Sequence, residues 1–324
     1  MHRIPFFFMI DFEMKSPFIC PISELPDHFH IDSRLLTFNS DYNLPQTPLQ
    51  FSSVPMTYED YQEGFDKVMG HIQFGNSFLA NYTRRTQVNT NYSLKEIFRI
   101  AEAKYKLLVE DEFVSFSPET FVSIKGGKIF SYPMKGTIDA SIPNAATLIL
   151  ADPKETAEHY TIVDLIRNDL SRVAKKVHVP HFRYIDKISS NNKDLLQVSS
   201  IVQGDLPENY LDELGSIFSK LFPAGSISGA PKKKTCEIIK EAEQIDRGMY
   251  TGIFGIFDGQ ELDSAVSIRY IEKDGNQLFY RSGGGITFQS EAEMEYQEML
   301  DKVYVPINRE YKDIQWEGVQ HPIS

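Results

Sequence analysis

The chain is predicted to adopt an α+β fold, and three observations point there. Hydrophobic runs come in pairs split by glycine turns (Gly126-Gly127, Asp258-Gly259, Asp274-Gly275), the pattern of antiparallel hairpins. Two long stretches carry apolar residues at helical spacing. Strands come in runs followed by helices, not in the regular alternation that a parallel sheet requires.

Taken in order, Phe6 to Ile10 is an apolar run that Asp11 and Glu13 close at once, with no small-residue cleavage site, so it reads as a buried first strand. Residues 39–55, rich in Asn, Ser, Pro and Gln, read as a loop. Residues 57–72 read as a helix, because Tyr61, Phe65, Val68, Met69 and Ile72 form one stripe. Residues 121–124 and 128–132 form a hairpin, and 153–176 a long amphipathic helix. Residues 254–257, 262–271 and 277–280 form a meander, 290–304 a last helix, and the tail from Asn308 is polar. The expected organisation is an N-terminal strand and loop segment (1–56), one catalytic domain (57–307) and a tail (308–324), with no flexible linker.

Net charge is −12 and no run of five basic residues occurs, which excludes nucleic acid or an anionic membrane as a partner of the whole surface. An anionic ligand therefore needs a local positive site or a bound cation. Cys20 and Cys236 fit no metal or disulfide framework, and no apolar stretch is long enough to span a bilayer. The expectation is a cytoplasmic, soluble protein.

Four features carry chemistry. Lys135, in Ser131-Tyr132-Pro133-Met134-Lys135-Gly136-Thr137, follows a strand-like run and precedes a Gly-Thr turn. Glycine lets backbone approach a ligand closely, and an amine kept partly desolvated has a depressed pKa and becomes a nucleophile. A surface lysine closing a hairpin is the alternative. Glu155 and Glu158 share a face of one helix, and Glu295 and Glu298 of another, with Lys302 one turn on. Facing each other, such pairs suit a hard divalent ion, which takes one or two carboxylates with water and ligand oxygens; solvated helices carry the same spacing. Gly283 to Gly285 just before the second pair signal a close approach to backbone. Phe222 to Lys232 is a Gly/Ser loop opening a helix, whose N–H groups favour an anion, although the P-loop spacing is absent. Arg269, among apolar neighbours in a predicted strand, needs a carboxylate, either a ligand's or a structural one.

Jointly these segments resemble the chorismate-utilising enzymes: anthranilate synthase component I, aminodeoxychorismate synthase component I, and the isochorismate and salicylate synthases. The resemblance runs from about Gly64 onward, through S-F-S-P-E at 115–119, P-M-K-G-T at 133–137, A-E-H-Y-T-I-V-D-L-I-R-N-D-L-S-R-V at 157–173, residues 222–232, Y-T-G-I-F-G at 250–255, S-I-R at 267–269, and 283–302. It implies a single large fold of two packed β-sheets with helices outside and a deep central cleft. It also implies Mg²⁺ bound to the ring carboxylate of chorismate by Glu158 and Glu298, with Glu155 and Glu295 nearby. Arg269, Tyr250, Gly284, Gly285 and Lys302 match positions that hold the carboxylates and enolpyruvyl group, and Gly136 and Thr137 match the turn beside the ring.

Within the family, the lysine at 135 resembles the P-I-K-G-T of aminodeoxychorismate synthases, where anthranilate synthases carry alanine. The resemblance implies that Lys135 attacks C2 as the C4 hydroxyl leaves, that Glu119 is the general acid, and that ammonia then enters at C4 and expels the lysine. The product would be 4-amino-4-deoxychorismate, a precursor of p-aminobenzoate and folate. Leu79 falls where the hydrolytic members have a water-activating lysine; leucine is no base, which disfavours hydrolysis. Gln197 stands where many relatives have histidine, and Ala224 and Ser228 replace the glycine and threonine of the usual loop. The segment before the first long helix is short against members that complete a tryptophan pocket there, so tryptophan feedback is not expected. Neither cysteine lies in a nucleophile elbow, so the expected ammonia source is a separate glutamine amidotransferase subunit, with a separate aminodeoxychorismate lyase downstream. Anthranilate synthase component I is the nearest alternative, and a non-catalytic chorismate-binding protein the second.

Overall fold

A computed structural model describes residues 3–39, 45, 47–189 and 194–307. Part of the expected loop at 39–55 and all of the expected tail lie outside the described residues. In chain order the strands are β1 (Phe6–Ile10), β2 (Phe18–Pro21), β3 (Phe29–Asp32), β4 (Thr37–Phe38), β5 (Phe51–Val54), β6 (Leu79–Thr90), β7 (Tyr105–Val109), β8 (Phe113–Ser117), β9 (Thr120–Lys125), β10 (Lys128–Ser131), β11 (Met134–Asp139), β12 (Lys175–Ser189), β13 (Asp194–Asp205), β14 (Gly229–Ala230), β15 (Ile253–Phe257), β16 (Leu262–Val266), β17 (Tyr270–Asp274) and β18 (Gln277–Ile286). The helices are α1 (Tyr58–Gln73), α2 (Leu94–Ile100), α3 (Ala145–Ala151), α4 (Pro153–Ser171), α5 (Leu214–Leu221), α6 (Gly225–Ser228), α7 (Lys232–Glu243) and α8 (Ala292–Asp301).

The strands form two antiparallel sheets. One runs β11-β13-β10-β9-β16-β15-β1-β2, with β12 also on β13; the other runs β14-β6-β18-β17-β8-β7-β3-β4, with β5 also on β6. Their inner faces meet through Phe7, Phe254 and Ile256 from the first and Phe29, Ile31 and Leu107 from the second. Helices cover the outer faces. Val163 and Leu170 of α4 and Phe218 of α5 pack on Phe121, Ile129 and Val202. Ile97 and Phe98 of α2 pack on Val114 and Phe116. The predicted stripe of α1 is buried at Tyr61, Phe65, Val68 and Ile72, and Thr57 caps the helix by accepting from the Asp60 N–H at 3.2 Å. The architecture is thus the expected α+β one, two packed sheets with helices outside.

Four predicted boundaries are corrected. Helix α4 ends at Ser171, not at residue 176, because Lys175 opens β12, a strand longer than any predicted. The β12–β13 hairpin escaped notice since register shifts after Lys175, His178 and His181 break its alternation. The apolar run 262–271 is two strands in different sheets, and a continuous hydrophobic run carries no sign of such a switch. The last helix spans only Ala292–Asp301, and β5 lies inside the predicted loop.

Two segments join the sheets near one another. Pro118-Glu119 carries the chain from β8 to β9, and Ser267-Ile268-Arg269 carries it from β16 to β17. They run side by side: Phe116 N–H donates to the Arg269 carbonyl at 3.0 Å, and Val266 N–H donates to the Glu119 carbonyl at 3.1 Å.

Candidate active site

The P-M-K-G-T segment is not a turn after a hairpin but strand β11, with a bulge. Met134 pairs with Ser199 and Thr137 with Gln197, so Lys135 and Gly136 together oppose a single residue of β13. Gly136 holds φ at +89°, a conformation glycine adopts freely. The bulge delivers Lys135 to a cavity of about 210 Å³, whose lining includes Leu79, Glu119, Glu158, Asp169, Ser226 and Gly285.

Lys135 Nζ forms an ion pair with Glu158 at 2.7 Å. Burial pushes its ammonium pKa down, but the hydrogen bond and charge of Glu158 outweigh that, with Glu298 and Glu155 adding, so the pKa lies above the ordinary lysine value. This corrects the expected depressed amine: desolvation is present, and the surrounding carboxylates overrule it. Helix α4 is fixed at this point by His159, fully buried, whose Nε2 lies 2.7 Å from the Ser200 hydroxyl on β13. Glu155 Oε2 is buried without a hydrogen-bond partner, and a Cβ on Gly136 would come within 2.7 Å of it. Burial raises the Glu155 pKa.

The second carboxylate pair rests on β18, which runs through all three glycines of the Gly283–Gly285 stretch. A Cβ on Gly284 would lie 2.9 Å from Glu295 Oε2 and 3.5 Å from Glu298 Oε1, and one on Gly285 would lie 3.0 Å from Leu79 Cδ1. At Gly284 and Gly285 the expected close approach is therefore to the site's own side chains, whereas Gly283 packs on the β6 backbone, where a Cβ would collide with the Tyr82 carbonyl oxygen. The Ser290 hydroxyl donates to Glu295 at 2.7 Å; Lys302 Nζ donates to Glu298 at 2.6 Å and to the Gly283 carbonyl at 2.7 Å. Burial raises the Glu295 pKa and lowers that of Lys302, whereas at Glu298 the Lys302 charge outweighs burial and holds the carboxyl below its ordinary range.

All four glutamates act electrostatically with Lys135, and Glu158 is the one in contact with its amine. They do not converge into a ready-made cage: among the described residues no group of three or more His, Cys, Asp or Glu side chains is placed to hold a metal. The donor chemistry still fits a magnesium ion, which needs only one or two carboxylates beside ligand and water oxygens, and the unpartnered Glu155 oxygen is of the required type.

Glu119, on the first crossover, is half-buried at the cavity and accepts from the Ser226 hydroxyl at 2.5 Å. Burial raises its pKa, against the opposing pull of Ser226 and the Arg269 charge. Arg269 sits on the second crossover at φ +53°, not within a strand. Its guanidinium lies 5.5 Å from the Tyr304 ring centroid, and among the described residues it forms no ion pair with a carboxylate. Tyr250 is buried. Tyr250, Arg269, Lys302, Gly136 and Thr137 lie outside the lining of the cavity, though Arg269 acts on both Glu119 and Lys302.

Sequence reasoning missed Ser226, Asp169 and Lys232 as site components. Lys232 Nζ pairs with Asp169 at 2.9 Å and donates to the Leu221 carbonyl at 2.6 Å, and Asp169 Oδ2 lies 2.9 Å from where a Gly225 Cβ would stand. The Gly/Ser loop, expected to attract an external anion, is thus packed against an internal carboxylate. The signal was available: Asp169 lies on the α4 stripe with Ile162, Ile166 and Leu170, where an ionised residue needs a partner.

The sequence pattern of the chorismate binding enzymes matches residues 31–308. An uncharacterized PabA-like protein of Pasteurella multocida is 52% identical, with 94% of this chain covered and 95% of the relative. Aminodeoxychorismate synthase component 1 of Bacillus subtilis is 32% identical over 80% of this chain and 57% of its own length. Anthranilate synthase component 1 of Mycolicibacterium smegmatis is also 32% identical, over 78% and 51%. Among solved structures, anthranilate synthase component I from Streptococcus pneumoniae superposes with a TM-score of 0.66 at 26% identity, covering 80% of this chain and 60% of that one. The menaquinone-specific isochorismate synthase from Escherichia coli shares the fold with a TM-score of 0.69 at 15% identity, covering 92% and 77%. With its two-sheet fold and this match over most of its length, the chain belongs to the family of chorismate binding enzymes.

Proposed function

We propose that the chain is the chorismate-converting component of an aminodeoxychorismate synthase, making 4-amino-4-deoxychorismate from chorismate and ammonia. One observation carries this reading: the bulge in β11 presents Lys135 to the cavity that also holds Glu119, so an amine nucleophile and a carboxylic acid share one site. The family alone is neutral on the product, because aminodeoxychorismate and anthranilate synthase relatives are equally similar.

In this reading Lys135 Nζ, half-exposed, first loses one ammonium proton to water, leaves its ion pair with Glu158 and, as the neutral amine, forms a bond to C2 of the ring; it regains that proton once it is released. The ring double bond shifts, the C4–O bond breaks, and Glu119 donates its proton so that the oxygen departs as water. Ammonia then bonds to C4, the double bond shifts back, and the C2–N bond to Lys135 breaks. Glu119, now a carboxylate, takes a proton from the incoming amine. One difficult displacement becomes two allylic ones. Arg269, Tyr250, Gly284, Gly285 and Lys302 bind the carboxylates and enolpyruvyl group, with Gly136 and Thr137 beside the ring. Glu158 and Glu298, with Glu155 and Glu295 nearby, would hold a magnesium ion, which would supply a positive charge for the ring carboxylate of chorismate. Leu79 lines the cavity as an aliphatic wall and offers no base for water. A glutamine amidotransferase subunit supplies the ammonia, and a separate lyase takes the product to p-aminobenzoate.

The test is product identification. Purified chain, chorismate, Mg²⁺ and ammonium are incubated with and without an aminodeoxychorismate lyase, then resolved by chromatography with mass detection. Aminodeoxychorismate that becomes p-aminobenzoate only with lyase supports the reading. Anthranilate moves it to anthranilate synthase, the reading that the M. smegmatis relative favours equally.

A further inference from the structure

We propose that Ser226 is a positioning residue for Glu119: its hydroxyl orients the carboxyl toward the substrate and sets how readily it gives up its proton. The inference rests on the reading of Glu119 as the acid. The Ser226 hydroxyl donates to Glu119 Oε1 at 2.5 Å, the only side-chain hydrogen bond to that carboxyl among the described residues. Glu119 itself is held from behind, its N–H donating to the Ser117 hydroxyl at 3.1 Å and its carbonyl accepting from Val266. Backbone and one carboxyl oxygen are therefore both anchored.

The anchor is stiff. The α6 turn is closed by Ser228, whose hydroxyl donates to the Ala224 carbonyl at 2.8 Å, and by the buried Arg247, whose Nη1 donates to the Ile227 carbonyl at 2.9 Å. Immediately after the turn, Gly229 and Ala230 pair with Ala80 and Leu79 of β6. Ser226 is thus tied to the second sheet while Glu119 enters the first.

A hydroxyl suits an acid that later works as a base, since it accepts from the protonated carboxyl and donates to the carboxylate left after proton transfer. Donation to the carboxylate favours the charged form, opposing the rise caused by burial. Other charges around Glu119 are Arg269 from the second crossover, Lys135 from β11, and Glu158 and Asp169 from α4, the last paired with Lys232 of α7. None of these is altered by changing Ser226.

The experiment compares wild type, Ser226→Ala, Ser226→Thr and Glu119→Gln, using the full chain with chorismate, Mg²⁺ and ammonium. Turnover is followed across pH, and the Glu119 carboxyl ¹³C resonance, assigned by its loss in Glu119→Gln, is titrated in parallel. Ser226→Ala is expected to move the Glu119 midpoint, and the matching limb of the kcat/KM profile, upward by about one pH unit. Its kcat should fall about tenfold at nearly unchanged KM, a fraction of what general acid catalysis supplies, and Ser226→Thr should recover both. A midpoint and limb unmoved in Ser226→Ala overturn the inference, even if turnover falls. If Glu119→Gln retains full turnover, the acid reading fails by itself, while the carboxyl titration still reports whether Ser226 governs Glu119.

Discussion

Gly136→Ala tests whether the β11 bulge is what makes Lys135 a working residue. The added Cβ would stand 2.7 Å from Glu155 Oε2, 3.4 Å from its Cδ and 3.5 Å from Ile149 Cδ1, at a backbone φ of +89°. Alanine in that backbone region costs about 1–2 kcal/mol. The close contact is with the end of a flexible side chain, so Glu155 swings away and adds little to the cost. In a chain of 324 residues this amounts to a fall in Tm of about 1.5–3 °C. Turnover should suffer far more. Relaxing the bulge re-aims Lys135, and a reacting group misplaced by about 1 Å loses on the order of 100-fold in rate. Thermal unfolding and steady-state consumption of chorismate, measured on the same preparation, separate the two effects. A variant that melts earlier yet turns over normally would refute the positioning role of the bulge.

Three further outcomes follow from the same geometry. Lys135→Ala should abolish the mass increase expected when wild-type protein is mixed with chorismate and Mg²⁺ without ammonia, read by intact-protein mass spectrometry. Arg247→Met leaves Glu243, fully buried and bonded to Arg247 at 2.6 Å, without its counter-charge, and should lower unfolding stability in denaturant by about 3–5 kcal/mol; a second change, Glu243→Leu, should recover part of it. Tyr82 and Tyr250 are both held neutral by burial, to a pKa of about 12, against an unfolded value near 10. Because the folded pKa is the higher one, this stabilisation is complete below pH 10 and is lost as pH climbs through about 12. Tyrosinate absorbance should show delayed ionisation of these groups, and free titration from pH 10 would contradict their burial.

Much of the site was legible because its residues sit in short motifs with unusual chemistry. Lys135 and the two Glu-x-x-Glu pairs were read from their setting and spacing, Glu119 from the family resemblance alone, and the structure places Glu119, Lys135 and Glu158 on one cavity. The helices α1 and α4 were legible from their helical periodicity, and the hairpins from their glycine turns. What escaped depended on tertiary context. The division of the 262–271 run between two sheets leaves no local trace, since both halves are apolar and β-prone. The bulge at Lys135-Gly136 depends on what β13 places opposite. The expectation of a depressed Lys135 pKa failed for a similar reason: partial desolvation of the amine could be guessed from its setting, but the 2.7 Å contact of this half-exposed side chain with Glu158 could not. Asp169 and Ser226 were visible as residues, and only the fold shows that both face the cavity.

The two crossovers give the molecule a mechanical property. Glu119 and Arg269 sit where the chain passes between sheets, α4 with its glutamates leans on β11 of the first sheet, and α8 with its own leans on β18 of the second. A ligand gripped by both sides is a strut across the seam between two layers. Its grip is then limited by how far one layer can slide over the other, which depends on the interlocked side chains of Phe7, Phe29, Phe254 and Leu107. Changes at Phe7, Phe29 or Leu107, in the packing that also holds Tyr250, should therefore register as looser ligand retention, with every residue that touches the ligand left in place.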